Sequence, residues 1–366
     1  MQRQRIPACG YLRFFVCPKQ PPIFTDWYRE LTKRSISCTV HILTQRSVYG
    51  LNDKSEGSVT NFFKLSLTVS TLALTATQAL ANCSTVRMAE PGWTDLALTT
   101  GIASVVLEGL GYKPESNVLG IPVIYESMTN SDLDVFLGFW DPAMETYYTS
   151  YRDAGSVETV HQNLEGAKFT FAVPKYVYDS GVADFADLAE HAEKFGNKMY
   201  GIEPGSNEIM FDIIKANAFG LGDWEVVESS EQAMLAQVTR SERKEDWIVF
   251  LGWAPHPMNS QHEMEYLSGG DDFYGPNFGG ASVHTQVRKG YLEECPNVGR
   301  LLTQMTFDIP LESEGMGYIL DDGDGPEEAA TKLLKRYPNY LSPWLAGVTT
   351  LDGQDGLAAV RAHLGL

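Results

Sequence analysis

Basic side chains are scarce in most of this 366-residue chain: 28 Lys and Arg stand against 47 Asp and Glu, a formal net charge of −19. The deficit is uneven. Residues 1–81 hold ten bases and four acids, which leaves 18 bases and 43 acids for residues 82–366. A body that acidic repels phosphate backbones and anionic lipid alike, which argues against nucleic-acid partners and peripheral attachment to a membrane. Cysteine is also scarce, at five residues, with no C-x-x-C and no Cys/His cluster, so no metal or other cofactor is expected. Long apolar runs are missing. Leu65 to Leu80 comes nearest, but it is short for a bilayer and is broken by Ser and Thr. The common catalytic signatures are absent: there is no G-x-S-x-G, no P-loop and no G-x-G-x-x-G after a strand. His262-Glu263 lacks the second histidine of a zinc protease motif.

What is present suffices for one or two cored domains, with 43% hydrophobic and 11% aromatic residues. Phe62-Phe63-Lys64, the moderately apolar stretch to Leu80 and the Ala79-Leu80-Ala81 ending together read as a secretory signal peptide over 62–81, cleaved after Ala81. It begins sixty residues in, so 1–61 is expected to be a mis-assigned upstream extension or an unusually long leader. The competing readings are a membrane-spanning helix and a lipoprotein anchored at Cys83. Cys9, Cys17 and Cys38 would be lost with the leader. Cys83 and Cys295 then remain in an exported body and are expected to form one disulfide.

After the leader the chain reads as alternating strands and helices. Strands are expected at 85–88, 120–125 and 135–138, with helices between them, the first capped by Thr94 or Asp95 and a short one near 130–133. The pattern restarts with strands at 169–173, 198–202, 224–227 and 247–251, a helix at about 208–218 and a capping box at Ser229 and Gln232. A further strand at 283–287 precedes helices running to the end. The expectation is an α/β fold of two lobes, each a mostly parallel sheet flanked by helices. The first lobe spans 82–167 and 281–366, the second 168–280, with two chain crossings as the hinge. Val135–Pro142 and Ile248–Pro255 form a quasi-repeat in which an apolar strand delivers Gly, Trp and Pro at its carboxyl end. Open parallel sheets bind ligands beyond those ends, so a ligand cleft between the lobes is expected.

Trp93, Trp140 and Trp253 all fall at such strand-to-helix turns. Indole faces carry a negative quadrupole, and a box of them suits a quaternary ammonium, a soft cation without N–H donors. Asp95 and Asp141 stand nearby to add charge or accept a hydroxyl. His256 reads as a turn residue, and the Asp321–Gly325 stretch as an acidic helix start rather than a calcium loop.

Five segments, Gly92-Trp93-Thr94-Asp95, Leu137-Gly138-Phe139-Trp140, Tyr200 to Gly205, Val227 to Gln232 and Leu251 to Pro257, resemble the glycine betaine/choline-binding family of ABC importers. The resemblance covers roughly 83–366. It implies a periplasmic binding-protein fold that closes on choline in its interlobe cleft and delivers it to an inner-membrane ABC permease, without a cofactor and as a monomer. The cage would comprise Trp93, Trp140 and Trp253, with Phe169 as fourth wall, although Tyr176 and Tyr178 lie close in sequence. Asp95 would receive the choline hydroxyl, helped by Asn207. Glycine betaine or another betaine is the alternative ligand, and acetylcholine a further one. A choline-ester hydrolase using His256 or His262 as base, or a purely adhesive secreted protein, are the rival classes. Asp95 favours choline, because a carboxylate there would oppose that of a betaine.

Overall fold

The computed structural model describes residues 83–366. The expected upstream extension, signal peptide and cleavage point lie outside the described residues. The described strands are β1 (Thr85–Glu90), β2 (Lys113–Val118), β3 (Val135–Asp141), β4 (Val157–Pro174), β5 (Lys198–Tyr200), β6 (Glu225–Val227), β7 (Phe250–Ala254), β8 (Met264–Tyr266) and β9 (Gly280–Arg288). They form one sheet in the order β2-β1-β3-β9-β4-β7-β5-β6, with β8 paired to β4. Both ends are parallel: β1 lies between β2 and β3, and β5 between β6 and β7. The seam is antiparallel. β9 pairs with β3 on one side and β4 on the other, while the far half of β4 pairs with β7. β4 and β9 thus join the two parallel ends of the sheet through an antiparallel seam.

The first lobe is built around α1 (Thr94–Gly109), buried from Thr94 to Leu107 apart from Ala97. An amphipathic helix would keep a wet face. This one is enclosed because α6 (Ile309–Leu320), α7 (Pro326–Arg336) and α8 (Gly356–Leu364) pack around it, so the C-terminal tail returns to the first lobe. The remaining helices used below are α2 (Ile121–Thr129), α3 (Glu145–Asp153), α4 (Glu208–Lys215) and α5 (Glu231–Glu242). Gly138 explains the glycine of the quasi-repeat: a Cβ there would stand 2.3 Å from Leu96, so its absence lets α1 lie directly on β3. A disulfide joins Cys83, just ahead of β1, to Cys295 in the returning tail, with Cα atoms 5.6 Å apart. Asp134, ahead of β3, is clamped by Arg87 of β1 and Arg288 of β9, each at 2.8 Å through its Nε. Burial raises the Asp134 carboxyl, but the two guanidinium groups outweigh it and hold the group below the usual carboxylate range.

Several expected elements move. Residues 121–129 form helix α2 instead of the strand expected at 120–125, and the helix expected near 130–133 is the turn after it. Pro122 sits in the first turn of α2, where its missing N–H costs little. The true second strand, β2, is a polar and mostly exposed edge without hydrophobic alternation. Thr94 opens α1 and does not cap it, since Trp93 holds the cap position without a side-chain bond. The cap of α5 is Ser230, one residue later than expected, accepting the Ala233 N–H at 3.2 Å. Among the described residues no helix is long and apolar enough to cross a membrane, and no group of three metal-ligating side chains assembles.

Candidate functional site

The carboxyl ends of β1, β3 and β7 and the middle of β4 converge on one cavity at the seam, with about 540 Å3 of empty space counting that open to solvent. Gly92, at φ +97°, turns the chain out of β1 and presents Trp93. Trp140 comes from the end of β3, opposite Val283 of β9. Phe169 and Trp253 are directly opposed residues of β4 and β7 and so project to the same face. All four rings line the cavity, together with Asp95. The three tryptophans are nearly buried, at 8%, 5% and 3% exposure in chain order, and Phe169 is half-buried. Neither Tyr176 nor Tyr178 is among the lining residues, and Tyr176 donates its hydroxyl to the Asp246 carbonyl.

Asn207 does not line the cavity. Its buried amide is consumed by its own loop: Oδ1 accepts the Ile202 N–H at 2.8 Å, and Nδ2 donates to the carbonyls of Ile202 and Glu203 and to Glu228. The loop residues that do face the cavity are Ile202, Gly205 and Ser206. Asp141 is likewise not a lining residue. Sequence reasoning missed Tyr147 of α3 and Glu208 of α4, which line the cavity from opposite lobes and are hydrogen-bonded to each other, the tyrosine donating. Neither belongs to a local motif. Only the folded seam brings them together.

The electrostatics are one-signed. Two carboxyl groups, Asp95 and Glu208, line the cavity with no Lys, Arg or His. Burial pushes the Asp95 carboxyl up to about 8, and the charge of Glu231 adds to the shift. The Leu96 N–H and the Trp140 indole counter it in part. Asp95 Oδ1 and Trp140 Nε1 do not close to hydrogen-bond geometry, and neither they nor Trp93 Nε1 has a protein partner. Glu312 of α6, fully buried, is raised well above the carboxylate range by burial and by the charges of Asp95 and Asp308.

A cavity at the seam of two α/β lobes, walled by rings from both and closed by side chains that meet across it, defines a two-lobed substrate-binding protein. Residues 84–336 match the family described as the substrate binding domain of ABC-type glycine betaine transport systems, and the chain belongs to it. Among solved structures it is similar to an ABC-transporter choline-binding protein in complex with choline, at 53% identity and a TM-score of 0.77, covering 78% of this chain and 99% of that one. It is also similar to lactococcal OpuAC in its closed conformation with glycine betaine, at 26% identity and a TM-score of 0.64, covering 71% and 98%. The glycine betaine/carnitine transport binding protein GbuC of Listeria monocytogenes is 29% identical over 165 residues, 44% of this chain and 54% of that protein.

Proposed function

We propose that this cavity captures choline and that the loaded protein delivers it to an inner-membrane ABC permease from the periplasm. The observation that carries the reading is the lining itself: four aromatic rings with two carboxyl groups and no basic side chain. A trimethylammonium head fits the rings, each face contributing on the order of 1 kcal/mol or more once water is excluded. Its positive charge suits the acids, and Asp95 Oδ1 is free to accept the choline hydroxyl. The ligand contacts are assigned to Trp93, Trp140, Phe169, Trp253 and Asp95. Asn207 shapes the loop that brings Ser206 to the cavity. Residues 82–167 with 281–366, and 168–280, are assigned as the two lobes that close on the ligand.

A betaine reading has one observation in its favour. The indole N–H groups of Trp93 and Trp140 are unpaired donors that a ligand carboxylate could use. Against it, Glu208 and Asp95 offer a second carboxylate only repulsion or a shared proton. Catalysis has little support. Both ring nitrogens of His256 are engaged, Nδ1 by the Met258 N–H and Nε2 by Glu231, and His262 is tied to Glu242 at 2.8 Å.

The test is a thermal-shift series on the exported protein with choline, acetylcholine and glycine betaine at equal concentrations. Choline is expected to raise the melting temperature most. A larger rise with glycine betaine would transfer the proposal to that ligand, and no rise with any of the three would overturn it.

A further inference from the structure

The leading N–H groups of a helix have no intrahelical partner and need an acceptor from elsewhere. For α1 that acceptor comes from across the cleft. Thr94 opens the helix in the first lobe, and Trp93 before it supplies no side-chain cap. Glu231 opens α5 in the second lobe. Its Oε2 accepts the Thr94 N–H at 2.8 Å, and its Oε1 accepts the Thr94 hydroxyl. The same Oε1 lies 3.1 Å from His256 Nε2. Because the Met258 N–H donates to Nδ1 of that ring at 2.9 Å, Nε2 carries the proton and donates to Glu231. The Glu231 and His256 side chains are both 0% exposed.

A carboxylate buried so completely persists only while its donors are in place. His256 belongs to the same lobe and stays with it. Both Thr94 donors belong to the other lobe and are lost when the cleft opens. The residues on either side of Thr94, Trp93 and Asp95, both line the cavity. The contact is further enclosed by Glu203, whose Oε1 accepts the Glu231 N–H at 3.0 Å, and by Glu90, whose carboxylate holds the Gly92 N–H.

We propose that Glu231 is an interlobe latch and a positioning residue: across the closed cleft it caps α1 and thereby sets Trp93 and Asp95 in their ligand-facing arrangement. The inference rests on the substrate-binding reading above but not on which quaternary ammonium is bound. With the cleft shut, release of ligand requires Thr94 to leave Glu231. The latch therefore acts on dissociation, while association proceeds from the open form without it.

The test compares Glu231→Gln, Thr94→Ala, their double variant and Thr94→Ser by stopped-flow fluorescence with choline, and by amide hydrogen exchange across 93–95. Glu231→Gln and Thr94→Ala are each expected to raise koff about tenfold or more with kon within about threefold. The double variant should be no worse than the weaker single, because both remove one contact, and Thr94→Ser should retain the wild-type rate. Unchanged koff, additive effects, or a lower melting temperature of the unliganded protein without a change in koff would each overturn the latch. If wild type binds no choline, the choline reading fails separately. The latch is then decided with glycine betaine as the ligand, by exchange of the Thr94 amide in the loaded protein: faster in Glu231→Gln supports it, equal rates overturn it.

Discussion

The rings of Trp140 and Phe169 stand 6.3 Å apart, centre to centre, tilted by 58°. Trp140 lies near the end of β3 and Phe169 on β4 opposite Trp253 of β7, so this pair makes a corner of the cavity at the antiparallel seam. Trp140→Ala is expected to weaken choline binding about tenfold or more, since a desolvated cation–π face of roughly 1–2 kcal/mol disappears. Phe169→Tyr keeps the face and should hold affinity within about threefold. Equilibrium titration measures both, and an unaltered affinity for Trp140→Ala would make that indole a packing residue only.

Asp95 gives binding a pH dependence with a definite sign. An aspartate in an unfolded chain titrates near 4, whereas Asp95 in the unliganded fold is raised to about 8. Between these values the folded state holds a proton that the unfolded chain releases. Stability of the unliganded protein from this group therefore falls as pH rises from about 4 to about 8, then levels off. A bound cation favours the ionised form, so choline should expel the proton and bind more tightly as pH climbs towards about 8. Calorimetry in buffers of different ionisation enthalpy reads the released proton directly. Asp95→Asn should abolish both the release and the pH dependence.

The Asp134 clamp has the opposite sign. Its carboxyl is depressed by Arg87 and Arg288, so its contribution is present above the unfolded pKa and is lost as pH falls through the folded one. Asp134→Ala leaves Arg288, with a side chain 10% exposed, buried without its main partner. The expected loss is about 3 kcal/mol or more by chemical denaturation, with choline affinity little altered in the folded fraction.

Reduction of Cys83–Cys295 should lower the melting temperature by several degrees, because the bridge closes a loop with a sequence separation of 212. Reduction that left the melting curve in place would mean the first lobe is held by the packing of α6, α7 and α8 on α1 alone.

Much of this arrangement was readable from local pattern. The tryptophans at strand ends and the Gly-Trp-Pro motif are features of neighbouring residues, the cysteine pair follows from the count of cysteines left after the leader, and the folded chain brings all three tryptophans and Asp95 to one cavity. Other features are set by partners distant in sequence. β2 escaped notice because an exposed edge strand need not alternate. Asn207 was expected at the ligand, but Ile202, Glu203 and Glu228 take up its amide. Glu231 carried no signal of its own in the sequence, since its partner Thr94 lies 137 positions away.

The most direct measurement is a calorimetric titration of the exported protein at neutral pH with choline and, separately, glycine betaine. The account predicts saturable one-to-one binding of choline, tighter than that of glycine betaine and accompanied by proton release from Asp95. Preference for glycine betaine, or choline binding without proton release, would contradict it.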